Sequence, residues 1–269
     1  MGNIEKKYKG LVAFDLDHTL LDHNTWKITP SAMESIEKLK ENGYLVAIAS
    51  GRDMKNRTSI EYLREVNPHA LIHMNGTMVE LCDDILMDHR MDKELLERVL
   101  EFCEKHEMPI GVHIDDVDYF VCPEKVLYFD KVYFKTDMHR NFDDPKKLLK
   151  LPVRSLAYYG ERAGGKELQY AFPKLNVMMF SKEYGADVVE AEYSKAEGIK
   201  HLCEHFGIGL SDTYAFGDSS NDVEMLEKVH VGIAMGNAVP EAKEAADYIT
   251  DDIDRDGIKN ALVHFGLIS

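Results

Sequence analysis

No stretch of this chain is apolar for the length a membrane helix needs, and the opening Met1-Gly2-Asn3-Ile4-Glu5-Lys6-Lys7 carries no apolar segment of a secretory leader. Met-Gly would suit myristoylation, but Lys6 stands where serine or threonine is usual. A cytoplasmic protein without a membrane partner is expected. Cysteine is scarce: Cys82, Cys103, Cys122 and Cys203 are too widely spaced to form a metal or redox pair. In a reducing compartment they stay thiols, with buried packing as their ordinary role. Positive charge is also short, with 32 Lys and Arg against 48 Asp and Glu and a net charge of −16. That balance argues against nucleic acid, and local cations must overcome the overall field before an anionic substrate can bind. Repeats and low-complexity linkers are missing as well. With 45% hydrophobic residues over 269 positions, the chain can bury one large core or two.

What is present starts with Leu11-Val12-Ala13-Phe14-Asp15-Leu16-Asp17-His18-Thr19-Leu20. A run of strand formers ends in two carboxylates two residues apart, which an extended chain could place on one face. Close acids repel unless a cation or a shared proton relieves them, and hard divalent cations favour oxygen ligands. The alternative is an Asp-rich turn after an ordinary strand. Thr29-Pro30 then opens a helix that continues through Met33, Ile36 and Leu39 to a stop at Gly43. A buried strand over Tyr44 to Ala49, a helix to about Val66 and a strand from Ala70 to Met74 complete a βαβαβ order, hence a parallel sheet.

Between about Cys82 and Ala186 the texture changes. One helix is expected from Asp92 to His106, with Leu95, Leu96, Val99, Leu100 and Cys103 on one face. Short apolar stretches follow at Pro109 to Ile114, Tyr119 to Cys122, Val132 to Phe134, Val153 to Tyr159 and Leu175 to Phe180. They predict an antiparallel α+β module set within the first pattern. From Lys195 the alternation resumes: a helix over Ala196 to Phe206, a strand over Thr213 to Phe216, a helix carrying Val223, Met225 and Leu226, and a strand over Val231 to Ala234. The expected fold is α/β, a Rossmann-like doubly wound parallel sheet. Its discontinuous core spans 1–81 and 187–269, and an inserted α+β cap spans 82–186.

Three further signals fall where strands of that core should end. Ser50-Gly51-Arg52 offers a hydroxyl, a flexible backbone and a cation at a strand-to-helix turn, which suits phosphate, though Ser50 could equally cap a helix. Asn75-Gly76 reads as a turn. Gly217-Asp218-Ser219-Ser220-Asn221-Asp222 brings two more carboxylates, of which a helix cap accounts for one. Lys195, opening a helix, gains interest only from this company.

Together these residues resemble the haloacid dehalogenase-like hydrolases, in their Cof-type phosphatase branch with a large cap. Asp15-Leu16-Asp17-His18-Thr19 matches the first motif and Ser50-Gly51-Arg52 the second. Ser194-Lys195-Ala196-Glu197-Gly198 matches the third, and Gly217 to Asp222, continuing into Val223-Glu224-Met225-Leu226, the fourth. Ala234-Met235-Gly236-Asn237-Ala238 and Ala246-Asp247-Tyr248 fit the same branch. The resemblance covers about 9–81 and 187–265, while the cap matches by position and texture. One departure is His18, where many relatives carry glycine; it is either an exposed turn residue or a group near the substrate.

The resemblance implies a Mg²⁺-dependent phosphomonoester hydrolase acting on small phosphorylated metabolites, sugar phosphates first. Asp15 is the implied nucleophile, and Asp17 the acid and base. Lys195 offsets charge. Ser50, Gly51, Arg52 and Asn221 bind substrate phosphate, and Thr19 orients the first loop. The metal ligands are Asp15, the carbonyl of Asp17, Asp218 and Asp222. Proximity to Asp15 favours a protonated Asp17, and a metal ion opposes that. In this family the cap reads the leaving group; His113, Asp115, Asp118, Tyr119, Arg162 and Lys166 are its candidates here, each also an ordinary surface or sheet residue. Two rivals remain: a sugar phosphomutase of the same superfamily, and a non-enzymatic regulatory phospho-acceptor.

Overall fold

A computed structural model describes residues 8–81, 84–136, 139–180 and 184–269. Its chain divides into two compact units, Met1–Asp88 with Tyr193–Ser269, and His89–Glu192.

The first unit is built on an eight-stranded sheet in the order Tyr248–Ile249, Val231–Ala234, Thr213–Gly217, Leu11–Phe14, Leu45–Ala49, Ala70–His73, Met78–Leu81 and Asp84–Asp88. Six strands run parallel; Met78–Leu81 turns back against Ala70–His73, and Asp84–Asp88 turns back again. All of Leu11–Phe14 and Leu45–Ala49 is buried, as continuous apolar runs must be in a sheet covered on both faces. The helix Pro30–Glu41 supplies part of that cover. Thr29 caps it by accepting from the Ala32 N–H, Pro30 sits in its first turn, and Ala32, Ser35, Ile36 and Leu39 form its buried side. Helix Lys195–Phe206 is capped by Ser194 and stopped by Gly207 in the left-handed conformation. A Cβ on Gly198 would stand 2.4 Å from Ile72, so only glycine lets this helix approach Ala70–His73 so closely.

From Leu11–Phe14 the strand order grows one way through Leu45–Ala49 and the other way through Thr213–Gly217. Doubly wound sheets open their ligand crevice at the carboxyl ends of strands flanking such a reversal. Asp15, Ser50 and Asp218 each directly follow one of these three strands.

The second unit holds a five-stranded antiparallel sheet, in the order Leu175–Met179, Tyr184–Glu190, Leu156–Glu161, Ile110–Ile114 and Val117–Phe120. Leu95, Leu96, Val99 and Cys103 of helix Lys93–Lys105, and Leu168 of helix Arg162–Ala171, share one buried cluster with Ile110, Leu156, Tyr158 and Val188 of the sheet.

Several expectations need correction. Asp84–Asp88 belongs to the larger sheet, where Met78 pairs with Asp88 and Leu81 with Asp84, so residues 84–88 are core rather than cap. Residues 187–190 continue the strand Tyr184–Glu190 of the smaller sheet and are not core. Val132 to Phe134 lies in a helical turn, Asp130–Phe134, that extends helix Pro123–Phe129. Tyr133 stacks there on Phe129 and Tyr184 at 4.9 and 4.0 Å, and three apolar residues are too few to tell the two states apart. Helix Arg162–Ala171 had no counterpart in the sequence reading. The helix expected directly after Arg52 starts only at Ile60. Cys82 lies outside the described residues; Cys103 and Cys203 are buried free thiols, and Cys122 is half-buried.

Candidate active site

The geometry of the first unit's site starts from its backbone. Asp15 donates its N–H to Phe216 O at 2.9 Å, which ties the first loop to the neighbouring strand. Asp15 is buried, and its Oδ1 accepts from Lys195 Nζ at 2.6 Å. The same ammonium donates to Asp222 Oδ1 at 2.7 Å. Asp222 in turn shapes its own loop: its Oδ2 accepts from the N–H groups of Asp218 and Ser219 at 2.9 and 3.0 Å. Thr19 Oγ1 donates to Asp218 Oδ1 at 3.1 Å and so joins the first motif to the fourth.

Lys195 begins its helix in close contact with Asn75-Gly76. Gly76 has φ +86°, and a Cβ there would stand 1.9 Å from the carbonyl oxygen of Ser194. Asn75 donates its N–H to Ser50 O and accepts from Asn221 Nδ2 at 3.0 Å. The pair that reads as a plain turn in sequence is thus a spacer joining the second, third and fourth motifs. Its signal was present in the Asn-Gly itself, a dipeptide suited to left-handed backbone.

Charge within the cluster is unbalanced. One oxygen each from Asp15, Asp218 and Asp222 lie within 4.8 Å of one another. Burial, with Asp15 and Asp222 close by, pushes Asp218 up to about 9 against the opposing pull of Lys195 and Thr19. Asp15 rises to about 7, chiefly through burial; Asp222 and Asp17 add to the rise and Lys195 opposes it. Burial works against the charge on Lys195, but Asp15 and Asp222 outweigh it and raise its pKa. Three buried carboxylates around one ammonium leave anionic oxygens without a counter-charge. A hard divalent cation fits that donor set.

Asp17 faces a different environment. Burial raises its pKa, but hydrogen bonds from His23 and Arg52 overcome this and hold it at about 2. Arg52 clamps it through two bonds, Nε to Oδ2 at 2.7 Å and Nη2 to Oδ1 at 2.6 Å. His23 Nε2 approaches Oδ1 at 2.6 Å. Arg52, expected on phosphate, is bound to Asp17 here, and Ser50 Oγ accepts from the Arg52 N–H at 3.1 Å. Ser50, Gly51 and Arg52 open a turn-rich loop and not a helix, so the helix-terminus argument for phosphate binding does not apply there. Sequence reasoning missed His23 because nothing in a local pattern joins it to Asp17. The only hint was the polar turn Asp22-His23-Asn24-Thr25 placed directly after the first motif. His18, the departure from the family pattern, has φ +60°, and its ring lies 3.9 Å from that of His23.

Among the candidates in the second unit, Asp118 is buried and holds Arg140. Asp115 has φ +49° in the tight turn between Ile110–Ile114 and Val117–Phe120. His113 is largely exposed and reaches Asp118 at 3.2 Å. Arg162 and Lys166 are exposed on helix Arg162–Ala171, and Tyr119 is half-buried.

Comparison with known proteins bears on the family. The pattern of the haloacid dehalogenase-like hydrolases matches residues 12–262. YkrA of Bacillus subtilis is 32% identical over 263 residues, 96% of this chain and 98% of its own. The HMP-PP phosphatase of Yersinia enterocolitica is 28% identical over 247 residues, 87% of this chain and 86% of its own. Among solved structures, the HAD subclass IIB sugar phosphatase BT4131 superposes with a TM-score of 0.85 at 28% identity, covering 96% of this chain and 100% of that one. The chain belongs to the haloacid dehalogenase-like hydrolases, as a phosphatase of the Cof type.

Proposed function

We propose that this phosphatase is a Mg²⁺-dependent phosphomonoester hydrolase of small phosphorylated metabolites, sugar phosphates foremost, and that it works through a phosphorylated Asp15. The observation that carries the reading is the buried Asp15–Lys195 pair at 2.6 Å, set at the sheet's reversal point among two further buried carboxylates. Lys195 keeps Asp15 anionic enough to attack and offsets the negative charge of an arriving phosphate.

In the first step an Asp15 oxygen bonds to phosphorus and the bond to the leaving alkoxide breaks. Asp17 gives that alkoxide its proton. In the second step water passes a proton to Asp17 and attacks phosphorus, releasing phosphate and restoring Asp15. As held here by Arg52 and His23, Asp17 is ready for its role as base. Its role as acid requires it to take up a proton and loosen one of those partners as the substrate enters. Catalytic hydrogen bonds commonly rearrange in this way between the free and the substrate-bound enzyme. Ser50, Gly51 and Asn221 remain the candidates to receive phosphate oxygens, and Thr19 steadies Asp218.

Asp15, Asp218 and the Asp17 carbonyl would hold Mg²⁺, with Asp222 completing or orienting the site. When bound, the ion neutralises charge on the phosphoryl group. A role for the inserted unit in choosing the leaving group is consistent with the confinement of these chemical groups to the first unit.

The test is phosphate release from sugar phosphates, nucleotides and cofactor phosphates, by wild type and Asp15→Asn, with Mg²⁺ or with EDTA. Release that needs both Mg²⁺ and Asp15 is expected. Sugar-phosphate isomerisation with little free phosphate would point to a mutase. A stable acyl phosphate without turnover would point to a regulatory phospho-acceptor.

A further inference from the structure

The exposed turn that follows Asp17 is better ordered than a plain connection requires. Strands Leu21–Asp22 and Lys27–Ile28 pair as a short hairpin whose base, Leu20, Leu21 and Ile28, is buried. Asp22 organises the tip. Its carboxylate accepts from the Asn24 N–H at 2.8 Å and from Thr25 Oγ1 at 3.1 Å, and its carbonyl accepts from the Trp26 N–H at 2.7 Å. Trp26, the chain's single tryptophan, takes the left-handed position at φ +55°, which favours glycine and burdens a bulky side chain. Closing the turn would need only glycine there. Backbone outliers of this kind persist where surrounding structure fixes them, and they cluster at functional sites.

What the position achieves is a stack. The Trp26 indole lies 4.5 Å from the His23 ring at an interplanar angle of 21°, and His23 touches Asp17 at 2.6 Å. One indole face is covered by His23, yet the residue is 56% exposed, which leaves much of the indole accessible to a second ring. A large flat apolar surface therefore stands one stacked ring away from the carboxylate assigned to the leaving group.

We propose that Trp26 is a specificity-determining residue whose exposed indole receives a planar heteroaromatic ring carried by the leaving group. This rests on the phosphatase reading above and, among small phosphorylated metabolites, puts phosphate esters bearing such a ring ahead of plain sugar phosphates. Stacking on an aromatic side chain tolerates different bases, because each presents a π-face. The Asp22-braced turn holds the indole in place beforehand, so little ordering is lost on binding.

Because Trp26 is the chain's only tryptophan, its fluorescence reports on the site directly. Asp15→Asn, which holds substrate without turning it over, would be titrated with three ring-bearing esters and their ring-free counterparts. The pairs are uridine 5′-phosphate with ribose 5-phosphate, riboflavin 5′-phosphate with ribitol 5-phosphate, and pyridoxal 5′-phosphate with glycerol 3-phosphate. At least one ring-bearing ester is expected to quench Trp26 and to bind at least about fivefold more tightly than its counterpart. Trp26→Ala should lower kcat/KM for that ester at least about fivefold more than for its counterpart, through KM, and Trp26→Phe should recover most of the difference. Equal binding within all three pairs, or an equal loss for both members in Trp26→Ala, would overturn the proposal. If no ester yields phosphate with wild type and Mg²⁺, the hydrolase reading fails, and the fluorescence titration still decides whether the ring is recognised.

Discussion

Arg140 in the inserted unit, half-buried with its side chain 7% exposed, and Lys195, buried in the core, are both cations flanked by aspartates, yet their surroundings settle the charge differently. Arg140 donates Nε and Nη2 to Asp130 at 2.9 and 3.0 Å, Nη1 to Asp118 at 2.9 Å, and Nη2 also to Tyr159 Oη at 2.9 Å. Asp118 accepts the Asn141 N–H as well, and the guanidinium sits over the rings of Phe120 and Tyr159. Burial would lower the Arg140 pKa, but these partners raise it. The fork places four of its five N–H groups on neighbours already in place, so the cluster pairs its own charges and ties Asp118, Asp130 and Tyr159 together. Lys195 bonds Asp15 and Asp222, with Asp218 a third carboxylate in the same cluster, and Asp15 and Asp218 are pushed up to about 7 and about 9. A cluster that cannot settle its own charge is arranged for something that arrives from outside.

The contrast can be broken or sharpened by substitution. The largest effect is expected on activity: Asp15→Asn should lower phosphate release on the order of a thousandfold or more, as removing a nucleophile does, with no loss of melting temperature. Arg140→Met, in contrast, strands two buried carboxylates and should cost about 3–5 kcal/mol in urea unfolding. If Arg140→Met proved neutral, the Arg140 cluster would not be holding its unit together.

Asp218→Asn should leave the metal-free protein within about 1 kcal/mol of wild type or raise its stability, because it replaces a carboxyl group that burial already holds in the neutral form and that must take up a proton to fold. The same substitution should abolish most of the stabilisation that Mg²⁺ gives wild type, read as a shift in melting temperature.

A smaller effect is expected with pH. Asp15 and Asp218 have folded pKa values near 7 and 9, above the ordinary 3.8, so in the metal-free fold they retain protons that the unfolded chain has lost. Their contribution is complete below about pH 4 and disappears as pH rises through 7 and then 9. Melting temperature in EDTA should therefore fall from about pH 4 to 9, more steeply below 7 where both groups contribute, and Mg²⁺ should flatten the slope. Asp17, held at about 2, has the opposite sign: its contribution is present above 3.8 and is lost as pH falls toward 2.

The placement of the site was largely legible because strand formers, turn residues and carboxylates follow one another along the chain. Asp15 after Leu11–Phe14 and Asp218 after Thr213–Gly217 are local facts, and a parallel sheet puts such ends together. The contacts that decide chemistry were not local. Arg52 reaches Asp17 across 35 positions and Asn221 reaches Asn75 across 146, so their partners cannot be read from spacing. Boundaries slipped for a related reason. Asp84–Asp88 is exposed or half-buried, and its short run Ile85-Leu86-Met87 does not say which sheet it joins; only its pairing with Met78–Leu81 makes it core. In the second unit, Asp118 is a candidate by residue type alone, and its partner Arg140 stands 22 positions away, again beyond any local pattern.

The central claim, that Asp15 carries the phosphoryl group, is tested most directly by acid-quenching a single turnover and locating phosphate by peptide mass spectrometry. A hydroxylamine-labile phosphoryl group on Asp15, absent from Asp15→Asn, is the expected result. Complete turnover with no covalent phosphate at any sampled time, in an enzyme that still needs Asp15, would contradict it and point to direct attack by water.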